Sequence, residues 1–495
     1  MAGPNPQPPA QPNSLFAKAF THPHRTLATA FVAWKLALFL IACGAVLAGE
    51  AYDTSADLVI HGTGSGTTVS RDSFATRLVT RFCSWDAIYF VSIARGGYLH
   101  EQFWAFGSGL PGVVRGVVAA GRRLGLVSPA AGSAADAFAE GLVGIAVAST
   151  AHFLSALALY RLGEVVFGRE PSQRKTNPLP LIAALLHILS PAGLFLSAPY
   201  AESSFAFLSF TGYLLFALSC RLDGHGKRPA LRDAYTILAG ILFGVATAFR
   251  SNGILNGIPF AWEVVRLLPG LAGEDPRRSK GDALRRLVAL GLGGVCVAAG
   301  TVVPQAVAYQ RFCFMMGDQG VEPRPWCGRW LPSIYAFVQS HYWNTGFLRY
   351  WTISNLPLFL LATPMLTVLA ASGVTQLRGG LASLLAARSA APSTMTPPET
   401  TPNAARSPSQ PMQSFLNAAA AAQVLLVVLA LTSYHVQIIT RLSSGYPLWY
   451  WWVAEKFVRA NANGKDAVLA NRVVTFAVVY AAVQGGLFAS FLPPA

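Results

Sequence analysis

Charge is what this sequence has least of. Asp, Glu, Lys and Arg make up 12% of its 495 residues, against 53% hydrophobic, roughly half the charged share of an ordinary soluble chain. Acid is the scarcer sign, with 22 acidic residues to 37 basic. With a mean hydropathy of +0.44, this excludes a soluble globular protein and makes the position of each carboxylate informative. Metal and nucleotide signatures are missing too: there is no Asp-x-Asp pair of the kind that holds a metal for a nucleotide-sugar donor, no P-loop, and no His/Cys/carboxylate cluster at ligand spacing. The six cysteines follow no metal or redox spacing. Nor does a net charge of +15 make a nucleic-acid binder, because the basic residues lie between apolar runs rather than in one solvated patch.

What the sequence does have is apolar runs of about 20 residues, enough to cross a hydrocarbon core of about 30 Å. They fall near 27–48, 140–166, 178–197, 202–220, 234–251, 253–269, 287–310, 354–373, 415–434 and 473–491. A further element near 443–457 is short, and its aromatics suit the membrane interface. The fold class is therefore an all-α polytopic membrane protein. Residues 1–26 begin with a Pro/Asn/Gln-rich disordered stretch, the first span reads as a retained signal anchor, and residues 27–495 form one multi-span domain. The short loops "REPSQRKTN", "RLDGHGKRPALRD" and "EDPRRSKGDALRR" satisfy the positive-inside bias if the N-terminus is cytosolic. A Pro/Ser/Thr-rich cytosolic linker, 386–413, has no periodicity. The long segments 49–139 and 311–353 then share the opposite, luminal face, where amphipathic helices are expected. Cys83, Cys313 and Cys327 lie in such polar segments and can pair in an oxidising lumen.

Four stretches can carry chemistry. In "RFCSWDAIYFVSIARGGYL", Ser84 is placed to cap a helix with Asp86 in its first turn, Trp85 beside it and Gly96-Gly97 as a stop. Ile88, Val91 and Ala94 form an apolar stripe that puts this helix in or against the membrane surface; the plain alternative makes Asp86 a helix-start residue and Trp85 an interfacial anchor. In "SPAGLFLSAPYAESSFAFLSF", two prolines interrupt apolar sequence just before Glu202. An ionisable residue at such a depth is a functional candidate, or else it marks the membrane edge. In "ATAFRSNGILNGIPF", Arg250, Ser251 and Asn252 occupy a tight turn where a guanidinium suits a lipid phosphate or snorkels to the interface. The aromatic segment "RPWCGRWLPSIYAFVQSHYWNTGFLRYW" carries Trp326, Tyr342 and Trp343 interleaved with His341 and Arg349. It reads as an interfacial platform that also binds substrate. "HVQIITRLSSGYPLWYWW" adds His435, Gln437, Arg441 and Tyr446 as weaker candidates to complete a cavity.

In order along about residues 80–452, "WDAIYFVSIARGGYL", "SPAGLFLSAPYAES", "ATAFRSNG", the Trp326 segment and "SSGYPLWYWW" resemble the blocks of the GPI mannosyltransferase 2 family. "EQFWAFGSGLP" departs from the animal-like pattern and is similar to fungal members. The resemblance implies a GT-C-like helix bundle in the endoplasmic reticulum membrane with a luminal active site. It implies dolichyl-phosphate mannose as donor, a GPI precursor glycolipid as acceptor, and α1,6 transfer of the second mannose. A small membrane partner subunit is implied as well, but no metal, cofactor or nucleic acid. By the same resemblance Asp86 is the base; by their own chemistry Arg250, Arg349 and His341 are the candidates for the phosphate, Glu202 orients the acceptor or holds an arginine, and Trp85, Asn252, Trp326, Tyr342 and Trp343 are candidates for substrate contact. Two rivals remain at this point: a related transferase using another dolichyl-phosphate sugar, and a lipid or solute transporter or noncatalytic subunit.

Overall fold

A computed structural model describes residues 20–61, 73–127, 137–168, 177–225, 228–272, 279–315, 324–389, 410–460 and 464–493. Among these residues there is no strand, and the secondary structure is helical throughout. The helices are α1 (Pro23–Ala48), α2 (Ser55–His61), α3 (Phe74–Phe82), α4 (Ala87–Gly96), α5 (Gly109–Arg123), α6 (Phe138–Phe167), α7 (Leu179–Ile188), α8 (Glu202–His225) and α9 (Pro229–Phe249). They continue as α10 (Ile258–Ala272), α11 (Lys280–Tyr309), α12 (Ile334–Tyr342), α13 (Leu356–Ser389), α14 (Gln410–Thr432), α15 (Ile439–Leu442), α16 (Leu448–Arg459) and α17 (Gly464–Ala489). Eight of them are long and apolar enough to cross a bilayer: α1, α6, α8, α9, α11, α13, α14 and α17. The expected linker core at 390–409 and the first 19 residues lie outside the described residues.

Two expected spans are shorter than the hydropathy suggests. The run at 178–197 is helical only over α7, after which Pro191 and a left-handed Gly193 (φ 46°) lead into a 3₁₀ turn, Gly193–Leu196. Ten helical residues rise about 15 Å, half the hydrocarbon thickness. Similarly, 253–269 begins as a 3₁₀ stretch, Ser251–Gly257, before α10. The aromatics of α16 are not interfacial: Trp449, Tyr450 and Trp451 are almost completely buried. Two of their polar tips find partners inside, with Trp449 Nε1 donating to Ser443 O at 3.0 Å and Tyr450 OH paired with His187 Nδ1 at 3.0 Å, while Trp451 Nε1 has none. α7 and α16, both too short to span, pack on one another within the bundle.

Helix α8 forms the centre, with Phe205, Phe210, Tyr213 and Phe216 fully enclosed. Against it packs α9, whose far side meets α11 at backbone contact. A Cβ on Gly240 would lie 2.4 Å from Gly293 Cα, and one on Gly244 2.2 Å from the Cys296 carbonyl. Small residues four apart allow this approach, which supplies packing where lipid removes the hydrophobic drive between helices. Local signals start several helices: Ser73, Ser279 and Ser333 each accept a hydrogen bond from the amide three residues on.

Described parts of the two long segments 49–139 and 311–353 meet at one cavity. Both the α3–α5 region and α12 lie at the end of the bundle where α9 finishes, and both line the same cavity. At the other end of α9, Arg232 bonds to Asp223, Asp233 and Asp282. Of the three cysteines expected to pair, Cys313 and Cys327 form a disulfide with a Cα separation of 5.7 Å. Cys83 is a fully buried free thiol in the hydrophobic core, which removes it from that chemistry.

Candidate active site

A cavity of about 390 Å³ opens at that end of the bundle. Its walls come from six places far apart in sequence: the α3–α4 turn, the chain before α5, the turn into α8, the end of α9, α12, and the α14–α15 turn, with α17 closing one side. Gly107 sets the distance between two of these walls. A Cβ there would lie 2.3 Å from the Phe249 carbonyl, so a larger residue would push the 106–108 chain off the end of α9.

The α3–α4 turn differs from the expected cap. Ser84 does not cap α4; its hydroxyl donates to Arg81 O at 3.0 Å and is buried. Trp85 is left-handed (φ 59°), an uncommon backbone for a bulky side chain and one that gathers at functional sites. Its ring rests on Phe491 at 5.1 Å. Asp86 takes the N-cap position without making a side-chain cap. Instead both terminal nitrogens of Arg441 donate to Asp86 Oδ2, at 3.2 and 3.3 Å. Oδ1 is the oxygen that Arg441 does not engage.

Arg441 leads to a longer chain of charge. Its Nε lies 3.7 Å from Glu202 Oε1, and Arg250 Nη1 contacts the same oxygen. Arg250 Nε also donates to Asn252 Oδ1 at 3.3 Å, and Asn252 Nδ2 donates to Tyr446 OH at 3.2 Å. The order is thus Asp86, Arg441, Glu202, Arg250, with alternating sign. Glu202 is 1% exposed and Asp86 40%, so one carboxylate is structural ballast between two guanidiniums and the other faces the opening. Arg441 also sits over the faces of Phe195 (4.7 Å) and Tyr200 (5.4 Å), geometry that favours a cation. Burial works against its charge, but Asp86 and Glu202 outweigh burial and raise its pKa above the usual guanidinium value. His435, on the adjacent wall, is pushed the other way: burial lowers its pKa and favours the neutral ring.

Unused polar atoms remain on these walls. Trp85 Nε1 and Gln484 Oε1 are buried with no hydrogen-bond partner, and Arg250 Nη2 makes no hydrogen bond among the described residues. Buried polar atoms are nearly always paired, so a wall with several unpaired ones is shaped for a polar ligand. Among the described residues no three of His, Cys, Asp and Glu converge at metal-binding geometry.

A family model described as Mannosyltransferase (PIG-V) matches residues 28–495. The chain belongs to this mannosyltransferase family. It is 52% identical to GPI mannosyltransferase 2 of Chaetomium globosum, over 99% of this chain and 100% of that one. It is 39% identical to GPI mannosyltransferase 2 of Aspergillus oryzae, over 98% of each. Among solved structures, the Archaeoglobus fulgidus oligosaccharyltransferase in complex with an inhibitory peptide and a dolichol-phosphate aligns over 93% of this chain and 56% of that one. The identity there is 13% and the TM-score 0.44.

In this mannosyltransferase the residues singled out in sequence divide into three groups. Trp85, Asp86, Arg250 and Trp343 line the cavity, and Glu202 and Asn252 stand directly behind Arg250. The structure does not bring the other four to it. Trp326 is fully buried and donates to Glu101 Oε1 at 2.8 Å; Tyr342 OH donates to Glu101 Oε2 at 3.4 Å. Arg324 completes that cluster. Burial would raise the Glu101 pKa, but the bonds from Arg324, Trp326 and Tyr342 win and hold it below the ordinary carboxylate range. The cluster ties α12 to the chain before α5. His341 stacks on Phe337 at 5.0 Å and is exposed, as is Arg349, whose amide turns back to Gly346 O. Aromatic density marked a platform, but it could not say which side chains face inward. Arg441 is the residue that reading underweighted: its only signal was a lone cation in an apolar segment after a span.

Proposed function

We propose that this mannosyltransferase transfers mannose from dolichyl-phosphate mannose to the first mannose of a GPI precursor glycolipid, in α1,6 linkage, on the luminal side of the endoplasmic reticulum membrane. The names of its full-length relatives support the acceptor, and a cavity at the end of a bundle of membrane-spanning length supports a lipid-carried donor. The observation that carries the mechanism is the charge chain from Asp86 to Arg250.

The donor is β-linked and the product α-linked, so one in-line displacement with inversion suffices. The acceptor hydroxyl oxygen forms the new bond to C1 of the donor mannose while the C1–O bond to phosphate breaks. The electron pair leaves with the phosphate, and the hydroxyl proton passes to Asp86, whose Oδ1 is not held by Arg441. Base catalysis of this kind contributes about 100- to 10,000-fold. Arg441 spends both terminal nitrogens on Asp86 and orients it. Arg250, at the other end of the chain, offers Nη2 to the departing phosphate, which makes electrostatic stabilisation of leaving charge the main contribution there. This narrows the phosphate role from Arg250, Arg349 and His341 to Arg250 alone. The protein's own cations meet the charge that a metal meets in other transferases. Trp85 and Trp343 are the sugar and lipid contacts. A small membrane partner subunit is part of this reading, as a stabiliser of the complex.

The test is mannose transfer by purified protein in detergent, with dolichyl-phosphate mannose, a one-mannose GPI precursor and a chelator. A two-mannose, α1,6-linked product supports donor, acceptor, linkage and the absence of a metal together. No product with the membrane partner restored would overturn the reading, and activity only on divalent-metal addition would overturn its metal-free part.

A further inference from the structure

Helix α17 contributes one side chain to the cavity, and it is polar. Gln484 is 4% exposed, lines the cavity wall, and leaves Oε1 without a hydrogen-bond partner. Its neighbours on the same helical face are Tyr480 and Phe488, four residues to either side. Tyr480 OH meets Thr440 Oγ1 at 3.4 Å, one residue before Arg441. Phe488 packs edge-on to Phe195 at 4.9 Å and to Tyr200 at 5.9 Å, the two rings beneath the Arg441 guanidinium. The face of α17 is therefore pinned on both sides of Gln484, which lines the same cavity as Arg441 and Asp86.

A second buried glutamine shows how such a residue behaves when its role is structural. Gln423, between α13 and α14, is equally enclosed and its Oε1 is likewise unpaired, but its Nε2 donates to Leu369 O and to Ser372 Oγ, both at 2.8 Å. Its amide fastens two helices. Gln484 fastens nothing: no hydrogen bond joins its amide to the described residues. A buried, unpaired amide weakens a fold, so its presence on a cavity wall points to a ligand that completes it.

We propose that Gln484 is a specificity residue that reads neighbouring hydroxyls of the mannose being transferred, its amide accepting from one hydroxyl and donating to the next. This deepens the transfer reaction proposed above and rests on it. The ligand chemistry follows from the amide. A carboxamide pairs with a group that donates and accepts at adjacent positions, as vicinal hydroxyls on a hexose do. The phosphate and the polyprenyl chain of a lipid-carried donor cannot serve both atoms. Arg250 takes the phosphate and Asp86 faces the acceptor hydroxyl, which leaves the donor ring as the partner for α17. A site built to bond a hydroxyl discriminates strongly against a sugar lacking it, so the residue selects the sugar as well as holding it.

The experiment is a cycle between side chain and hydroxyl. Wild type, Gln484→Leu and Gln484→Asn are assayed in detergent with dolichyl-phosphate mannose and with its 2-, 3-, 4- and 6-deoxy analogues, and their thermal unfolding is recorded. Gln484→Leu is expected to lower kcat/KM for the mannose donor about 10- to 100-fold. For the analogue lacking the hydroxyl that Gln484 reads, variant and wild type should perform alike, because contacts that depend on each other are not lost twice. Its unfolding midpoint should stay level or rise, since an unpaired amide has been removed. Losses of the same factor with every analogue, or losses that vanish on correction for folded fraction, would overturn the proposal. Should the leucine variant not fold, Gln484→Asn, one methylene shorter, must still show the analogue-selective pattern. Absence of transfer by wild type from any donor would instead sink the parent reading, a failure distinct from uniform losses.

Discussion

Helix α9 carries an arginine cluster at each end, separated by roughly 27 Å of helical rise between Arg232 and Arg250. Both clusters alternate guanidinium and carboxylate, and each is centred on a buried carboxylate, Asp223 in one and Glu202 in the other. At Arg232 each donor group is spent: Nε on Asp233, Nη1 on Asp223 and Asp282, Nη2 on Asp282, all within 3.0 Å. Arg266 and Arg285 close the same network through Asp223, Glu263 and Asp233. At Arg250 one nitrogen is unspent, Asp86 is held through a single oxygen, and a cavity borders both. Charge inside a membrane bundle is therefore a weak marker of function when taken alone. Capacity left over beside an opening is the stronger one, and under the proposed mechanism it separates working charges from those that fasten helices.

That contrast can be broken from either side. The largest effect is expected for Arg441→Met, which releases Asp86: kcat should fall about 100-fold, the cost of a small misplacement of a reacting group, with donor KM moving less. Activity within threefold of wild type would show that Asp86 needs no such hold. Arg250→Lys keeps the charge and loses the planar fork. Donor KM should rise about 10-fold, in line with a charged hydrogen bond, and an unchanged KM would remove Arg250 from the phosphate. Arg232→Gln, at the other end, should destabilise the protein by roughly 3–5 kcal/mol, because Asp223, Asp233 and Asp282 each lose a charged hydrogen bond from the same buried guanidinium. Transfer per folded molecule should stay at the wild-type value, as read by thermal unfolding alongside the assay. The smallest effects are those of Arg349→Gln and His341→Ala, within about twofold, the usual range for exposed positions. A large loss from either would return the phosphate to the α12 platform.

Much of this site was legible because charge is so scarce in the chain. Asp86, Glu202 and Arg250 each stood out by interrupting apolar sequence, and each lies on the charge chain. Their mutual contact was not legible, since Arg441 joins Asp86 across 355 positions of sequence. The aromatic segment misled for a related reason. Trp326, Tyr342, His341 and Arg349 share its composition with Trp343, yet only Trp343 lines the cavity, and direction depends on the turn of a short helix and on the Glu101 cluster beneath it. Hydropathy likewise found α7 and α16 but not their lengths: a proline and a glycine ended the first, and neighbours with polar partners allowed the second to be buried. Gln484 gave no signal at all, being one amide in a span whose other residues face lipid or helices.

The most direct test makes the same chemical change at both ends of α9. Asp86→Asn and Asp223→Asn are purified side by side, and single-turnover mannose transfer is normalised to folded protein measured by thermal unfolding. Asp86→Asn should keep the wild-type unfolding midpoint and lose turnover by about 1,000-fold, while Asp223→Asn should unfold earlier and transfer normally per folded molecule. Near-normal turnover in Asp86→Asn, or a turnover defect in folded Asp223→Asn, would contradict the division between working and fastening charges.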